Sequence, residues 1–222
     1  MGTTYRSLMS WNISTTAVEL VPSVPDLFGY FHADGPKLLQ APLSHVVIDD
    51  GRRYLERTNE HFDVITLDPP PPVEAAGNSL LYSKEFYATI RRKLKPDGIL
   101  QQWLPRGDAV LQSAVASSLQ ESFPYVRVFH SLDNRGLHFL ASEHPILNRT
   151  PQELADRLPQ SAVQDLLEWG PATNAAEQFS IILGRELHLD QLIAGAPDAA
   201  PLQDDRPENE YFFLRQYMHW KI

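Results

Sequence analysis

Apolar runs alternate with helix-like segments through the central part of the chain. Strand-like runs cover 46–48, 62–67 and 99–104, and helical spacing marks 52–57 and 83–94 between them. This order of strand, helix, strand, helix and strand predicts parallel strands that are joined by crossover helices. The Pro and Gly of the turn at 95–98 are expected to end the second helix and to restart the chain as a strand.

The same periodicity extends the pattern on both sides. It predicts helices at 5–11, 22–31 and 108–123, strands at 16–20, 125–131 and 136–142, and a loop at 32–42. The last two strands form a hairpin that would close the sheet in the antiparallel direction. We therefore predict an α/β fold with a Rossmann-like, mostly parallel sheet, helices on both faces and an antiparallel closing strand.

The pattern changes after residue 144. Short helix candidates at 151–158, 162–169 and 174–183 precede a Pro/Ala/Gly linker at 194–201 and an acidic tail at 204–211. We therefore predict an α/β domain at 1–144 and a small helical C-terminal extension with a tail at 145–222.

Composition narrows the classes of function. The 222 residues include no cysteine, which excludes a disulfide framework, thiol catalysis and Cys-ligated zinc. No His-x-x-x-His pair is present, so no metal site is expected. No apolar run approaches the roughly 20 residues that span a bilayer, so we expect a soluble, cytoplasmic protein without membrane contact. The net charge of −9 argues against nucleic-acid binding and suits a cationic small molecule.

Carboxylates follow three of the predicted strands. Glu19 is placed to accept both ribose hydroxyls of a nucleoside, although a solvated strand-end glutamate explains it equally well. Asp50 is placed to accept from an exocyclic amino group, while Gly51 lets the backbone approach a flat ring. Asp50 or its neighbour Asp49 also suits the N-cap of the following helix, and the two roles are compatible.

Asp68 is the strongest candidate for chemistry. It ends a buried-looking strand, and the prolines at 69–72 supply carbonyl acceptors without amide donors. A carboxylate beside such carbonyls, Pro69 first among them, is suited to bind an amine and to remove its proton. Tyr82, after the proline loop, is a candidate contact for the same substrate.

Four ordered motifs at 48–55, 62–68, 80–87 and 94–98 resemble the core of spermidine synthase-like proteins, the polyamine aminopropyltransferases. The resemblance covers 2–142, and the tail at 204–211 is similar to a motif near the end of many such chains. It implies the fold of class I S-adenosylmethionine-dependent methyltransferases. It also implies transfer of an aminopropyl group from decarboxylated S-adenosylmethionine to a small-molecule amine, with methylthioadenosine released.

The resemblance also implies residue roles. Glu19 would hold the ribose, Asp50 with Gly51 the adenine, and Asp68 would act as the base, at one common rim of the sheet. Gly2 would be the remainder of a glycine-rich turn against the nucleoside. In contrast with the family pattern, Pro71 replaces a second loop aspartate that anchors the polyamine.

A second contrast concerns the sheet. The family's first strand, which is central in the sheet, has no counterpart before Met1, so the chain resembles an N-terminally truncated member. Strands lie about 4.8 Å apart, and loss of a middle strand would leave a gap of about 10 Å.

Two other functions stay open, as does a homodimer. Asp68-Pro69-Pro70 is similar to part of the Asp-Pro-Pro-aromatic motif of amino-directed methyltransferases that use S-adenosylmethionine, with Pro71 in place of the aromatic residue. A catalytically silent nucleoside-binding domain is the other alternative.

Overall fold

The computed structural model describes residues 2–69, 77–105, 107–168, 170–206, 210 and 217. Its strands are β1 Thr15–Glu19, β2 Ser44–Ile48, β3 Phe62–Leu67, β4 Leu94–Pro105, β5 Tyr125–His130, β6 Gly136–Ser142 and β7 Glu186–Leu187. Its α-helices are α1 Thr3–Ser10, α2 Ser23–Asp26, α3 Phe28–Phe31, α4 Gly35–Leu39, α5 Gly51–Arg57, α6 Lys84–Lys93, α7 Ala109–Ser122, α8 Pro151–Ala155, α9 Gln160–Glu168, α10 Ala175–Leu183 and α11 Leu189–Ala194. A 3₁₀ helix covers Asn78–Leu81.

The chain forms two compact units, each assembled from two stretches of sequence. Unit 1 comprises Met1–Thr58 and Asn148–Leu183, and unit 2 comprises Asn59–Leu147 and Gly184–Ile222. The domain boundary predicted at residue 144 lies near Leu147, where the chain passes from unit 2 to unit 1. Helices α8 to α10, however, group with the N-terminal stretch in unit 1, and only the residues after 183 group with unit 2.

Unit 1 contains a two-stranded parallel sheet. β1 pairs with β2 from Thr15 opposite Ser44 to Glu19 opposite Ile48. The helix predicted at 22–31 is divided into α2 and α3. The prediction of a loop at 32–42 is wrong for α4, which has a proline in its first turn. A proline there removes no helical hydrogen bond, because the first amides of a helix have no intrahelical partner.

Unit 2 contains a five-stranded sheet in the order β3-β4-β6-β5-β7. β3 and β4 are parallel, whereas β6 runs antiparallel to both β4 and β5, which confirms the predicted hairpin. Phe62 pairs with Leu94 and Val64 with Ile99, so the predicted turn at 95–98 is a break in the register of β4. The predicted α/β class with an antiparallel closing strand is confirmed.

In each sheet, at least one edge is formed by a strand whose neighbour runs parallel to it. Among the described residues, β1 pairs only with β2, and β3 pairs only with β4. The side chain of Val64 on β3 is 50 % exposed, although strands in parallel sheets are usually covered on both faces.

Candidate functional site

Glu19 lies at the carboxyl end of the parallel pair in unit 1. It is opposite Ile48, and the amide of Asp49 donates to its carbonyl oxygen at 3.1 Å. Ligands of α/β folds bind beyond this end of the strands. The Oε1 atom accepts from the Val21 amide at 2.9 Å, which holds the carboxylate in a local turn. A carboxylate has about four acceptor sites, so this bond leaves capacity for ribose hydroxyls.

Gly2 and Glu19 line the same hollow in unit 1. The hollow has a volume of about 80 Å³ and a mainly apolar lining that includes Phe28 and Val46. Gly2 has φ +75°, and a Cβ placed on it would lie 2.7 Å from the Phe28 ring, so the position requires glycine. Ligand pockets usually measure about 300–1,000 Å³, so this hollow accommodates only part of a nucleoside.

Asp50 is the N-cap of α5. Its Oδ1 atom accepts from the Arg53 amide at 2.8 Å, which confirms the capping role that the sequence suggested. Asp49 instead pairs with the Arg53 guanidinium, and that hydrogen bond lowers the pKa of Asp49. A Cβ on Gly51 would meet nothing within 4 Å, so the fold itself does not require glycine there. The predicted adenine contact of Asp50 and Gly51 stays a prediction.

Asp68 directly follows β3 in unit 2. Its side chain is exposed, while Pro69 is buried. Pro70 to Pro72, including the replacement at Pro71, lie outside the described residues. Beyond that loop, the Oε1 atom of Glu210 accepts from the Gly77 amide at 2.7 Å and from the Ser79 hydroxyl. Part of the predicted tail motif at 204–211 thus contacts the segment that follows the proline loop.

Tyr82 lies in the core of unit 2, where its side chain is completely buried. Nearby, the Tyr87 hydroxyl donates to Gln102 at 2.5 Å, and the Gln102 amide donates to the Leu81 carbonyl at 3.1 Å. Burial, and secondarily the neighbouring Tyr82, raises the pKa of Tyr87 well above its usual value. Tyr87 is therefore a neutral donor, and the predicted substrate contact of Tyr82 stays a prediction.

A second polar group in unit 2 was missed by the sequence reasoning. The Thr66 hydroxyl donates to Gln101 Oε1, and Gln101 Nε2 lies 3.2 Å from His138 Nδ1. Burial lowers the pKa of His138, while the charge of Asp68 and then that of Asp133 act in the opposite direction. The available signal was the presence of polar residues inside apolar strand runs, but their contact depends on the strand register.

The predicted site residues are thus distributed by unit. Unit 1 holds the candidates for the nucleoside, which are Gly2, Glu19, Asp50 and Gly51, and unit 2 holds the candidates for the amine, which are Asp68, Pro69 and Tyr82. In each unit the carboxylates follow the carboxyl end of a parallel strand. Their convergence at one rim stays a prediction.

Two kinds of feature are absent from the described ranges of the chain. No helix there is both long and apolar enough to cross a bilayer. No group of three or more His, Asp or Glu side chains in the described part of the chain could hold a metal ion.

Comparison with known proteins identifies relatives of both the sequence and the fold. Polyamine aminopropyltransferase from Synechococcus sp. (strain JA-2-3B'a(2-13)) is 29% identical over 168 residues, which are 71% of this chain and 54% of the relative. The enzyme of the same name from Sulfurisphaera tokodaii is 27% identical over 128 residues, or 56% of this chain and 43% of the relative. The chain thus spans about half the length of these curated relatives.

The crystal structure of spermidine synthase from Thermotoga maritima has a similar fold, with a TM-score of 0.62 at 16% identity. The match covers 87% of this chain and 65% of that chain. The family model of the spermine/spermidine synthase domain matches residues 13–146, which contain both parallel strand pairs and three of the candidate carboxylates. This chain belongs to the spermine/spermidine synthase family.

Proposed function

We propose that this chain is part of an aminopropyltransferase that uses decarboxylated S-adenosylmethionine and a small-molecule amine. The amine nitrogen attacks the aminopropyl carbon next to the sulfonium. A C–N bond forms as the C–S bond breaks, the electron pair goes to sulfur, and methylthioadenosine leaves. The observation that carries this proposal is the family match over 13–146, within which Glu19 ends β1 while Asp50 and Asp68 lie just after β2 and β3.

The donor contacts belong to unit 1 in this proposal. Glu19 accepts hydrogen bonds from the ribose hydroxyls, which requires an acceptor with two oxygens. Gly2 lets the backbone approach the nucleoside, and its position against Phe28 excludes any side chain. Asp50 accepts from the adenine amino group while it continues to cap α5.

The acceptor contacts belong to unit 2. Asp68 binds the ammonium form of the amine and removes a proton, so that the nitrogen lone pair is available for attack. Pro69 has no amide hydrogen and therefore offers only its carbonyl oxygen to the amine. Pro71 stands where the family loop has its second aspartate, so that position supplies no carboxylate to the acceptor.

A mass-spectrometric assay with each donor tests the reaction. The full chain is incubated with decarboxylated or intact S-adenosylmethionine and a panel of monoamines and diamines. We expect an aminopropylated amine and methylthioadenosine with the decarboxylated donor alone. A methylated amine formed only from the intact donor would reject this proposal in favour of an amino-directed methyltransferase.

Thermal unfolding with methylthioadenosine tests the nucleoside site separately. A ligand at 100 times its Kd stabilises a folded protein by about 2.7 kcal/mol. We expect Glu19→Gln to reduce this stabilisation. The control variant Glu56→Gln changes an exposed glutamate of α5 that pairs with Arg52, and it should leave the stabilisation intact. No stabilisation of the unmodified chain would reject the nucleoside site and the proposed function with it.

A further inference from the structure

A chain of three polar side chains crosses neighbouring strands of unit 2. Thr66 lies on β3, Gln101 on β4 and His138 on β6, and these strands are adjacent in the sheet. The hydroxyl of Thr66 donates to Gln101 Oε1, and Gln101 Nε2 lies 3.2 Å from His138 Nδ1. The residues opposite His138 are Trp103 on β4 and Phe129 on β5. The imidazole is therefore fixed by one hydrogen-bonded chain among apolar neighbours.

In this arrangement the hydroxyl of Thr66 donates to the oxygen of the Gln101 amide, and the amide nitrogen faces Nδ1 of His138. An amide nitrogen can only donate, so Nδ1 of the ring accepts and the neutral imidazole has its proton on Nε2. To accept a proton from Nδ1, the amide would have to turn over and Thr66 would have to become the acceptor. Protonation of His138 is therefore tied to a rearrangement of all three side chains.

Asp68 connects this chain to the proposed chemistry. It follows Thr66 by two residues, which is the spacing that returns to the same face of an extended backbone. Burial lowers the pKa of His138, and the negative charge of Asp68 opposes that effect. The imidazole and the candidate base are thus electrostatically coupled.

Two other charged residues contribute to the surroundings of His138. Asp133, in the turn between β5 and β6, also opposes the effect of burial on the pKa of His138, and it pairs with Arg135 at 3.7 Å. From β5, Arg127 belongs to the same face, and it is bound to Glu186 on β7 at 2.7 Å. β4 contributes Gln101 and Trp103, which do not titrate. Asp68 is the member of this group that the proposed function assigns to the substrate.

Resting on the proposed function, we propose that His138 is a positioning residue for the amine acceptor. When the ring of His138 is neutral, the carboxylate of Asp68 pairs with the substrate ammonium. When the ring is protonated, it competes with that ammonium for Asp68. Acceptor binding then weakens as the pH falls through the range in which His138 becomes protonated. Because burial lowers the pKa of His138, the acceptor site stays functional below the pH at which an exposed imidazole would titrate.

The pH dependence of kcat/KM for 1,4-diaminobutane tests this role. In the unmodified chain we expect an acidic limb with a midpoint below about 6.5, the usual value for histidine. One pH unit below that midpoint, kcat/KM should have fallen about tenfold, and in His138→Gln less than about twofold. The control is His130→Gln, an exposed histidine at the end of β5, which should retain the limb. An unchanged acidic limb in His138→Gln would overturn the proposal.

A nuclear magnetic resonance titration of the His138 ring nitrogens needs no turnover. We expect Asp68→Asn to lower the pKa of His138, because the charge that favours the imidazolium is removed. Asp63→Asn, at the opposite end of β3, is the matched control and should leave the titration unchanged. Equal His138 titration in Asp68→Asn and the unmodified chain would refute the coupling. If no aminopropyl transfer occurs at any pH, the proposed function fails, and the ring titration still decides whether Asp68 and His138 are coupled.

Discussion

Apolar side chains on the strands of the two sheets are buried to very different extents. In unit 1, Val46 and Ile48 on β2 are 38 % and 46 % exposed. In unit 2, Leu100, Leu104 and Phe139 on β4 and β6 are completely buried. β1 and β2 each have one paired neighbour among the described strands, whereas β4 and β6 each have two. An apolar run thus predicts a strand, and the number of neighbouring strands determines how well it is covered.

The polar groups of the candidate site also have different partners in the two units. In unit 1, Glu19 and Asp50 accept from nearby backbone amides. In unit 2, the corresponding bonds join side chains of different strands, as between Gln101 and His138. The carboxylates of unit 1 therefore combine a local structural role with a proposed binding role. Substitutions at these positions must therefore distinguish the structural role from the binding role.

The largest expected effect is on turnover. Asp68→Asn should reduce kcat by about 10²–10⁴-fold, because a general base contributes about that factor. Binding of methylthioadenosine should persist, since its proposed contacts belong to unit 1. Asp63→Asn is the control, as Asp63 is an exposed residue of β3 that pairs with Lys95 at 2.7 Å. Equal turnover in Asp68→Asn and the control would remove Asp68 from the catalytic role.

The contrast in burial predicts different losses of stability. Phe139→Ala should lower the free energy of unfolding by about 3–5 kcal/mol, because it leaves a cavity at a completely buried position. Val46→Ala should lower it by less than about 1 kcal/mol, because that side chain is partly solvated already. Urea unfolding measures both values. Similar losses would mean that Val46 is covered in solution.

The double role of Asp50 is separated by two substitutions. Asp50→Ala should cost about 1 kcal/mol of stability through loss of the cap, whereas Asp50→Asn keeps a good N-cap and should change stability by only a few tenths. If the carboxylate also binds adenine, Asp50→Asn should weaken methylthioadenosine binding in calorimetry. Unchanged affinity in that variant would leave Asp50 with the capping role alone.

The smallest expected effect concerns an ion pair of unit 2. Arg127 donates two hydrogen bonds of 2.7 Å to Glu186. These hydrogen bonds are the main reason why the pKa of Glu186 is lowered. Because the folded pKa lies below the unfolded value of about 4.3, the stabilisation is complete above that pH. It disappears as the pH falls through the folded pKa.

Glu186→Gln therefore tests both the size and the pH dependence of this pair. The variant should lose at most about 1 kcal/mol at pH 7, because the pair is partly solvated. Urea unfolding at pH 7 and pH 3 should show a smaller difference from the unmodified chain at pH 3 than at pH 7. A difference of the same size at pH 3 would indicate that Glu186 acts through packing.

Local elements could be predicted from sequence because their signals are local. Strand β3 agrees with the prediction at both ends, and the hairpin of β5 and β6 lies where its apolar runs end in a turn. The helix α4 was missed because Gly35 and Pro36 favour a loop by composition, although Pro36 is in the first turn of a helix. Composition alone does not separate these outcomes.

Long-range relations had no such signal. Arg6 pairs with Asp165 and Glu168 at 3.1 Å, and nothing near residue 6 indicates partners so far along the chain. The carboxylates at strand ends could be predicted, since the ends of apolar runs are visible in the sequence. The contact between Gln101 and His138 could not, because it requires the register of β4 against β6.

Because each unit is assembled from two separate stretches of sequence, neither unit is complete until its second stretch has been synthesised. When residue 147 has just been added to the growing chain, the segment 148–183 that completes unit 1 has not yet been made, and unit 2 still lacks the residues from 184 onward. At a synthesis rate of about 5–20 residues per second, several seconds pass before those segments are made, and the apolar strands stay exposed during that time. During this interval the nascent polypeptide is most open to chaperones and to mispairing with another unfinished copy.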